Sequence, residues 1–171
     1  MATARLRWCL LVLLALWAEA VKTQPDQSVN SSPMEVRRQP RLATFQGSAL
    51  DRITAQSESG GREYDGRGNR ITSPVGARGI MQVMPGTARD PGFGIRPSDG
   101  TPAEDARVGR EYRAKMQKRY GGDLAKMWAA YNWGPGNLDS ALRRHGENWF
   151  ANAPAETRAY VSKNIRALGG Q

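Results

Sequence analysis

Glu58 stands where a helix is expected to run out, in Ala55-Gln56-Ser57-Glu58-Ser59-Gly60-Gly61, and Gly79-Ile80-Met81-Gln82 and Ala130-Tyr131-Asn132 follow it downstream. One carboxyl group at a helix end, supplied with polar and aromatic partners from later segments, suits an acid that delivers a proton to the leaving oxygen of a glycosidic bond. Such an acid must be protonated near neutral pH, whereas a solvated Glu, with a pKa of about 4.3, is ionised there. Partial burial raises it, and the negative end of a helix dipole raises it further. Taken without its flanking segments, a Glu before Gly-Gly reads as a solvated helix-end residue.

Many glycosidases pair the acid with a second carboxylate, and Asp65, Glu63 and Glu156 are the candidates. Asp65 lies in a glycine-rich loop, where an Asx-turn role accounts for it. Glu156 opens a helix, where an acidic residue is stabilising without any further function. Read singly, Tyr131 and Met84 are core residues, Gln82 is a surface residue and Ser73 belongs to a loop or cap. Trp128, Trp133 and Trp149 offer faces for sugars, although Trp128 sits on an apolar stripe and reads as core.

Other chemistries lack their residues. Cys9 is the only cysteine and lies in an apolar run near the N-terminus, so disulfides, Cys-based peptidases and thiolate metal sites are not expected. His145 is the only histidine, where zinc hydrolases use two or three; before Gly146 it reads as a helix-end residue. No G-x-S-x-G elbow is present. Neither a metal nor an organic cofactor is expected.

The elements that must position Glu58 are helical. Leu50, Ile53, Thr54 and Ser57 recur at helix spacing, and Gly60-Gly61 supplies a left-handed terminus. Thr101-Pro102-Ala103-Glu104 has the pattern of a capping box, opening a helix with Val108, Tyr112, Met116 and Tyr120 on one stripe and Arg110, Arg113, Lys118 and Arg119 on the other face. Asp123 caps the next helix, with Leu124, Met127, Trp128 and Tyr131 inward, ending at Gly134-Pro135. Leu138, Ala141 and Leu142 mark a further helix, and Thr157, Tyr160, Val161, Asn164, Ile165 and Leu168 a longer one. Glycines and prolines between Gly61 and Gly100 indicate loops, with at most a short extended piece from Ile80 to Met84. The class is mainly α.

At 171 residues the chain holds one domain of ordinary size, and its formal net charge of +9 favours an acidic polymer as partner. Arg5 and Arg7 precede an apolar run from Trp8 to Ala18 that ends in Ala18-Glu19-Ala20, the pattern of a secretory signal over residues 1–20. A spanning helix needs about 20 apolar residues, so the run is short for a permanent anchor. Residues 21–46 are rich in Ser, Gln, Pro and Arg and read as a disordered linker, with the folded part, 47–171, beginning near Gly47.

Glu58-Ser59, then Ser73-Pro74-Val75-Gly76-Ala77-Arg78-Gly79-Ile80-Met81-Gln82-Val83-Met84-Pro85-Gly86-Thr87-Ala88, then Ala130-Tyr131-Asn132-Trp133-Gly134 occur in order, followed by Glu156-Thr157-Arg158-Ala159-Tyr160-Val161. This series resembles the catalytic domain of the soluble-lytic-transglycosylase (SLT) family over roughly Gly47 to Leu168. The resemblance implies a lysozyme-like, goose-type helical fold and cleavage of peptidoglycan. Position by position it makes Glu58 the acid/base and places Ser73, Gln82, Met84, Tyr131 and Glu156 along the saccharide groove, with Asn132 supporting it. Tyr131 and Gln82 are expected to hold the acetamido group and ring, and Met84 to form an apolar wall. The family uses no second carboxylate as nucleophile: the substrate's N-acetyl group assists departure, and the muramyl 6-hydroxyl then attacks, leaving a 1,6-anhydro end. Two departures stand out, Ile80 for the usual leucine and a longer stretch from Glu58 to Ser73.

The implied partners are glycan strands of the wall, with secretion-machine or virion components as further candidates for a monomeric, exported, envelope-located protein that touches membrane only through its signal. A hydrolytic lysozyme or chitinase on the same fold is the second reading. A non-catalytic glycan- or nucleic-acid-binding module is the third, and no nucleic-acid-binding motif is present to support a nucleic-acid partner.

Overall fold

The computed structural model describes residues 45–169; the expected signal, and the expected linker as far as Thr44, lie outside them. The described part is helical, with only isolated backbone bridges and no strand. Helix α1 spans Ala49–Ser59 and starts on Ser48, whose Oγ accepts from the Asp51 N–H while the Asp51 carboxylate accepts from the Ser48 N–H, a reciprocal cap. It stops at Gly60, whose φ of 66° is left-handed and whose N–H reaches back to the Gln56 carbonyl. That conformation is cheap only without a Cβ.

Residues 61–84 fold back on themselves through antiparallel bridges pairing Tyr64 with Arg70, Thr72 with Arg78 and Arg78 with Val83. A five-residue helix, α2 (Pro85–Arg89), follows where the sequence indicated only loop. Proline at its first position is compatible with a helix start, since that N–H has no intrahelical acceptor. Helices α3 (Pro102–Arg119), α4 (Leu124–Trp133), α5 (Pro135–His145) and α6 (Ala155–Gly169) complete the chain, with a 3₁₀ turn at Gly146–Trp149. Helix α4 is the centre, packing on α3, α5 and α6, while α1 packs on α6.

Three sequence expectations change. Thr101 accepts from the Glu104 N–H, but the Glu104 carboxylate pairs with Arg96 and Arg107, and only the forward half of the expected capping box forms. Arg113 leaves the basic face of α3: it is 5% exposed and its Nε donates to Asp51 Oδ1 at 2.6 Å. Ile165, expected on the inner stripe of α6, is exposed.

The core has two lobes. One gathers Ile53, Met116, Met127, Trp128, Leu138, Trp149 and Val161; the other gathers Ala55, Ile80, Met81, Val83, Ile95, Ala106 and Val108. Tyr112 packs against both. Each large apolar side chain removed from water here contributes about 1.5–3 kcal/mol before the entropy of ordering is subtracted. Trp128 is fully buried and donates its indole N–H to Thr54 Oγ1 at 3.0 Å, so α1 and α4 share a satisfied polar contact inside the apolar lobe. Trp149 is buried as well, packed edge-on against Phe150, and both tryptophans act as core. Phe45, just before Gly47, packs against the second lobe under the Arg110 guanidinium.

Gly109 of α3 lets the second lobe close. A Cβ there would stand 2.6 Å from Met81 Cβ and 3.1 Å from Tyr131 Oη. The Met81 Cβ is rigidly attached to its backbone, so relief requires moving the chain. Gly109→Ala is therefore expected to destabilise the domain by about 1–3 kcal/mol of overpacking, outweighing the roughly 1 kcal/mol that alanine gains in a helix. Urea unfolding checks this; a variant as stable as wild type would mean that Met81 yields freely.

Candidate active site

Glu58 occupies the penultimate position of α1, one residue before Ser59. Ser59 fixes the helix end to the segment opposite: its hydroxyl donates to the Ile80 carbonyl at 2.9 Å and accepts from the Arg62 N–H at 3.1 Å. Burial pushes the Glu58 carboxyl up from its ordinary 4.5 to about 7; the Tyr160 hydrogen bond and the Lys163 charge pull down, and the Glu156 charge pushes up. Desolvation, which disfavours the ionised form, is the largest of these effects and prevails. The Tyr160 hydroxyl donates to Glu58 Oε1 at 2.7 Å.

The turn bonded to Ser59 at the end of α1 is held by another glutamate. Glu63 Oε2 accepts from the Ile80 N–H at 2.7 Å and Oε1 from Arg70 Nε at 2.6 Å, and Arg70 reaches on to Asp105 of α3. Gly79 takes a φ of 69° directly against that carboxylate, where any Cβ would collide with it. Glu63 thus has a positioning task. Asp65 is exposed, and its Oδ1 accepts from the backbone N–H groups of Arg67 and Asn69, which lower its pKa, the Asn69 bond first. This is the Asx-turn arrangement.

The expected site residues divide. Tyr131 from α4 donates to the Met81 carbonyl at 2.9 Å; its hydroxyl is pushed well above its ordinary range by burial, with the charge of Glu58 adding to this. Glu156, exposed in the first turn of α6, acts on Glu58 through its charge. Asn132 Oδ1 accepts from Thr157 Oγ1 at 2.9 Å, tying α4 to the first turn of α6. Gln82 has the unusual φ of 45°, and its amide donates to the Gly79 carbonyl at 2.8 Å and more distantly to that of Ile71, so its donors serve the turn. Ser73 Oγ accepts from the Ala77 N–H and closes the loop Ser73–Ala77. Met84 precedes α2 with 42% of its surface exposed. No hydrogen bond joins Ser73 or Met84 to Glu58.

Sequence alone puts Tyr160 on the inner stripe of α6 and within the Glu156–Val161 motif, with no role at the acid. The signal available was a hydroxyl on the inner face, four residues after Glu156, with the polar Thr157 and Asn164 on the same stripe. Among the described residues no three His, Cys, Asp or Glu side chains converge as a metal site, and no helix is long and apolar enough to cross a membrane.

Comparison with known proteins gives a consistent set of similarities. The family model described as "Transglycosylase SLT domain" matches residues 52–153. The soluble lytic murein transglycosylase of Escherichia coli K12 is 34% identical over 111 residues, covering 57% of this chain and 17% of that protein; its Salmonella typhimurium counterpart is 34% identical over 116 residues with the same coverage. Among solved structures, an inactive Glu-to-Gln mutant of lytic transglycosylase Slt from Pseudomonas aeruginosa superposes with a TM-score of 0.56 at 27% identity, over 69% of this chain and 20% of that one. The 70 kDa soluble lytic transglycosylase of Escherichia coli gives 0.55 at 30% identity with the same coverage. The chain therefore spans about a fifth of the length of these relatives.

Proposed function

The chain belongs to the transglycosylase SLT domain family, and from that premise we propose that it is a peptidoglycan lytic transglycosylase with Glu58 as its single acid/base. The observation that carries the proposal is a partly buried carboxyl with a pKa of about 7, held by the Tyr160 hydroxyl. At neutral pH such a group is divided between its two forms, the condition under which one residue serves first as acid and then as base. Protonated Glu58 delivers its proton to the glycosidic oxygen between N-acetylmuramic acid and N-acetylglucosamine, and the substrate's acetamido group assists departure. The carboxylate so formed removes the proton of the muramyl 6-hydroxyl as that oxygen attacks the anomeric carbon. Glu58 regains its proton, no water is consumed, and the product carries a 1,6-anhydro end. That a Glu-to-Gln mutant of the Pseudomonas relative is inactive supports dependence on one glutamate.

Two of the three alternative carboxylates are otherwise engaged, which favours this route over hydrolysis. Glu63 is bound to Arg70 and the Ile80 N–H, and Asp65 to its own loop. Since the substrate is the cell wall, we place the site of action in the envelope, outside the cytoplasmic membrane. Digestion of purified peptidoglycan in heavy-oxygen water is expected to give anhydro ends without label, lighter by one water, about 18 Da, than hydrolysed fragments. Asp65→Asn is expected to keep most activity. Label at the new muramic acid end, with activity lost in the Asp65 variant, would establish a two-carboxylate hydrolase instead.

A further inference from the structure

Behind the Glu58–Tyr160 pair lies a second polar contact that the proposed chemistry does not use. Asn164 of α6 is 0% exposed, and its Oδ1 accepts from Ser57 Oγ of α1 at 2.6 Å. Ser57 is the residue before Glu58, and Asn164 follows Tyr160 by one helical turn, a spacing that puts the two side chains on one face. The opposite end of the amide, Nδ2, is buried with no hydrogen-bond partner. An orphaned buried donor is uncommon and calls for an explanation. Burial first, and then the charges of Glu58 and Tyr131, push the Tyr160 hydroxyl well above its ordinary range, while Asn164 acts on it in the opposite sense, as a neighbouring donor does.

A phenol oxygen has one hydrogen to give and lone pairs with which to accept. Its hydrogen is directed either at Glu58 or away from it, and the side on which the oxygen accepts decides which. With Oδ1 held by Ser57, the amide has one orientation, its NH₂ end turned away from Ser57 on the helix face that Asn164 shares with Tyr160. We propose that Asn164 is a positioning residue for the acid: anchored by Ser57, its amide occupies the accepting side of the Tyr160 hydroxyl and commits the phenol hydrogen to Glu58. The relay runs from Ser57 through Asn164 and Tyr160 back to Glu58, linking α1 and α6 on either side of the carboxyl. Its catalytic part rests on the acid role proposed above; its geometric part does not.

The other groups acting on Glu58 are Lys163, Glu156 and Tyr131, and none is altered by changing Asn164. The test follows the Glu58 carboxyl carbon by NMR across pH in wild type, Asn164→Leu, Tyr160→Phe and the double variant, alongside kcat and KM on soluble glycan strands. Loss of the donated hydrogen removes stabilisation of the carboxylate, so both single changes are expected to move the Glu58 titration upward, and the double change no further than Tyr160→Phe alone. Asn164→Leu is expected to lower kcat about tenfold with KM nearly unchanged, and to have little effect in the Tyr160→Phe background, the non-additivity of residues acting in one network. An unchanged Glu58 titration in Asn164→Leu, or an equal loss of kcat in both backgrounds, overturns the relay. If Asn164→Leu does not fold, Ser57→Ala replaces it: a smaller upward shift is expected, and an unmoved titration overturns the proposal. A wild-type domain that releases no fragments from peptidoglycan would defeat the functional reading, while the titrations still decide the relay.

Discussion

Glu58→Gln is expected to abolish lysis of peptidoglycan and, at alkaline pH, to yield a more stable protein than wild type. A positioned general acid accounts for about 10²–10⁴ in rate, and here one group performs both proton transfers, so a loss of at least about 10³ is anticipated. The amide keeps the shape of the side chain and can still accept from Tyr160. Stability follows from the difference between the folded value of about 7 and the ordinary 4.5. Between these values the folded chain retains a proton that the unfolded chain releases, so wild-type stability falls as pH rises through this window and levels off above 7. The window amounts to about 3 kcal/mol at about 1.36 kcal/mol per pH unit. Glutamine does not titrate. Urea unfolding at pH 4.5 and 8.5 should therefore show the advantage of the variant growing by about 3 kcal/mol toward the higher pH. The same sign governs activity, since cleavage starts from the protonated acid, and wild-type kcat/KM should decline above pH 7. Activity retained within tenfold of wild type, or a stability difference independent of pH, would remove Glu58 from this role.

Much of this arrangement was legible in the sequence because it is local. The end of α1 at Gly60, the Asp123 cap of α4 and the inward stripe of Met127 and Trp128 rest on contacts between residues three or four apart, and such spacing is visible in one dimension. What periodicity could not supply was pairing across the fold. Arg113 reads as part of a basic face until Asp51, far away in sequence, is brought to it. Tyr160 reads as one more large ring on an inner stripe until α6 lies beside the end of α1. Gln82 was read as a surface or sugar-contacting residue; its positive φ and backbone hydrogen bonds depend on how the loop from Glu63 to Gly79 folds back. Helix α2 is too short for a period to emerge.

The Asp51–Arg113 pair is the place where one substitution should cost the most stability. Asp51 serves two structures at once: Oδ2 closes the cap of α1 on Ser48, while Oδ1 receives Arg113 Nε from α3. Arg113 in turn reaches Gln117 with Nη1, and both charged residues are 5% exposed. Desolvating two charges offsets most of their attraction, so the intact pair contributes little net stability; removing one partner strands the other and costs about 3–5 kcal/mol. Arg113→Met is expected to fall in that range by urea unfolding, a large part of the 5–15 kcal/mol that a domain typically has. Adding Asp51→Asn should restore part of the loss, because the amide oxygen can still accept at the cap and no unpaired charge remains. The chemistry should be spared where the fold survives. Asp51 lies about two turns before Glu58 on α1, and Arg113 one turn after Gly109 on α3, so the pair sets how the two helices meet without touching the acid itself. At low temperature the Arg113 variant should retain kcat near wild type, while its half-life on warming collapses. A cost below about 1 kcal/mol would instead place this pair among ion pairs that water still screens, and a loss of kcat without loss of stability would show that the α1–α3 alignment directly tunes Glu58.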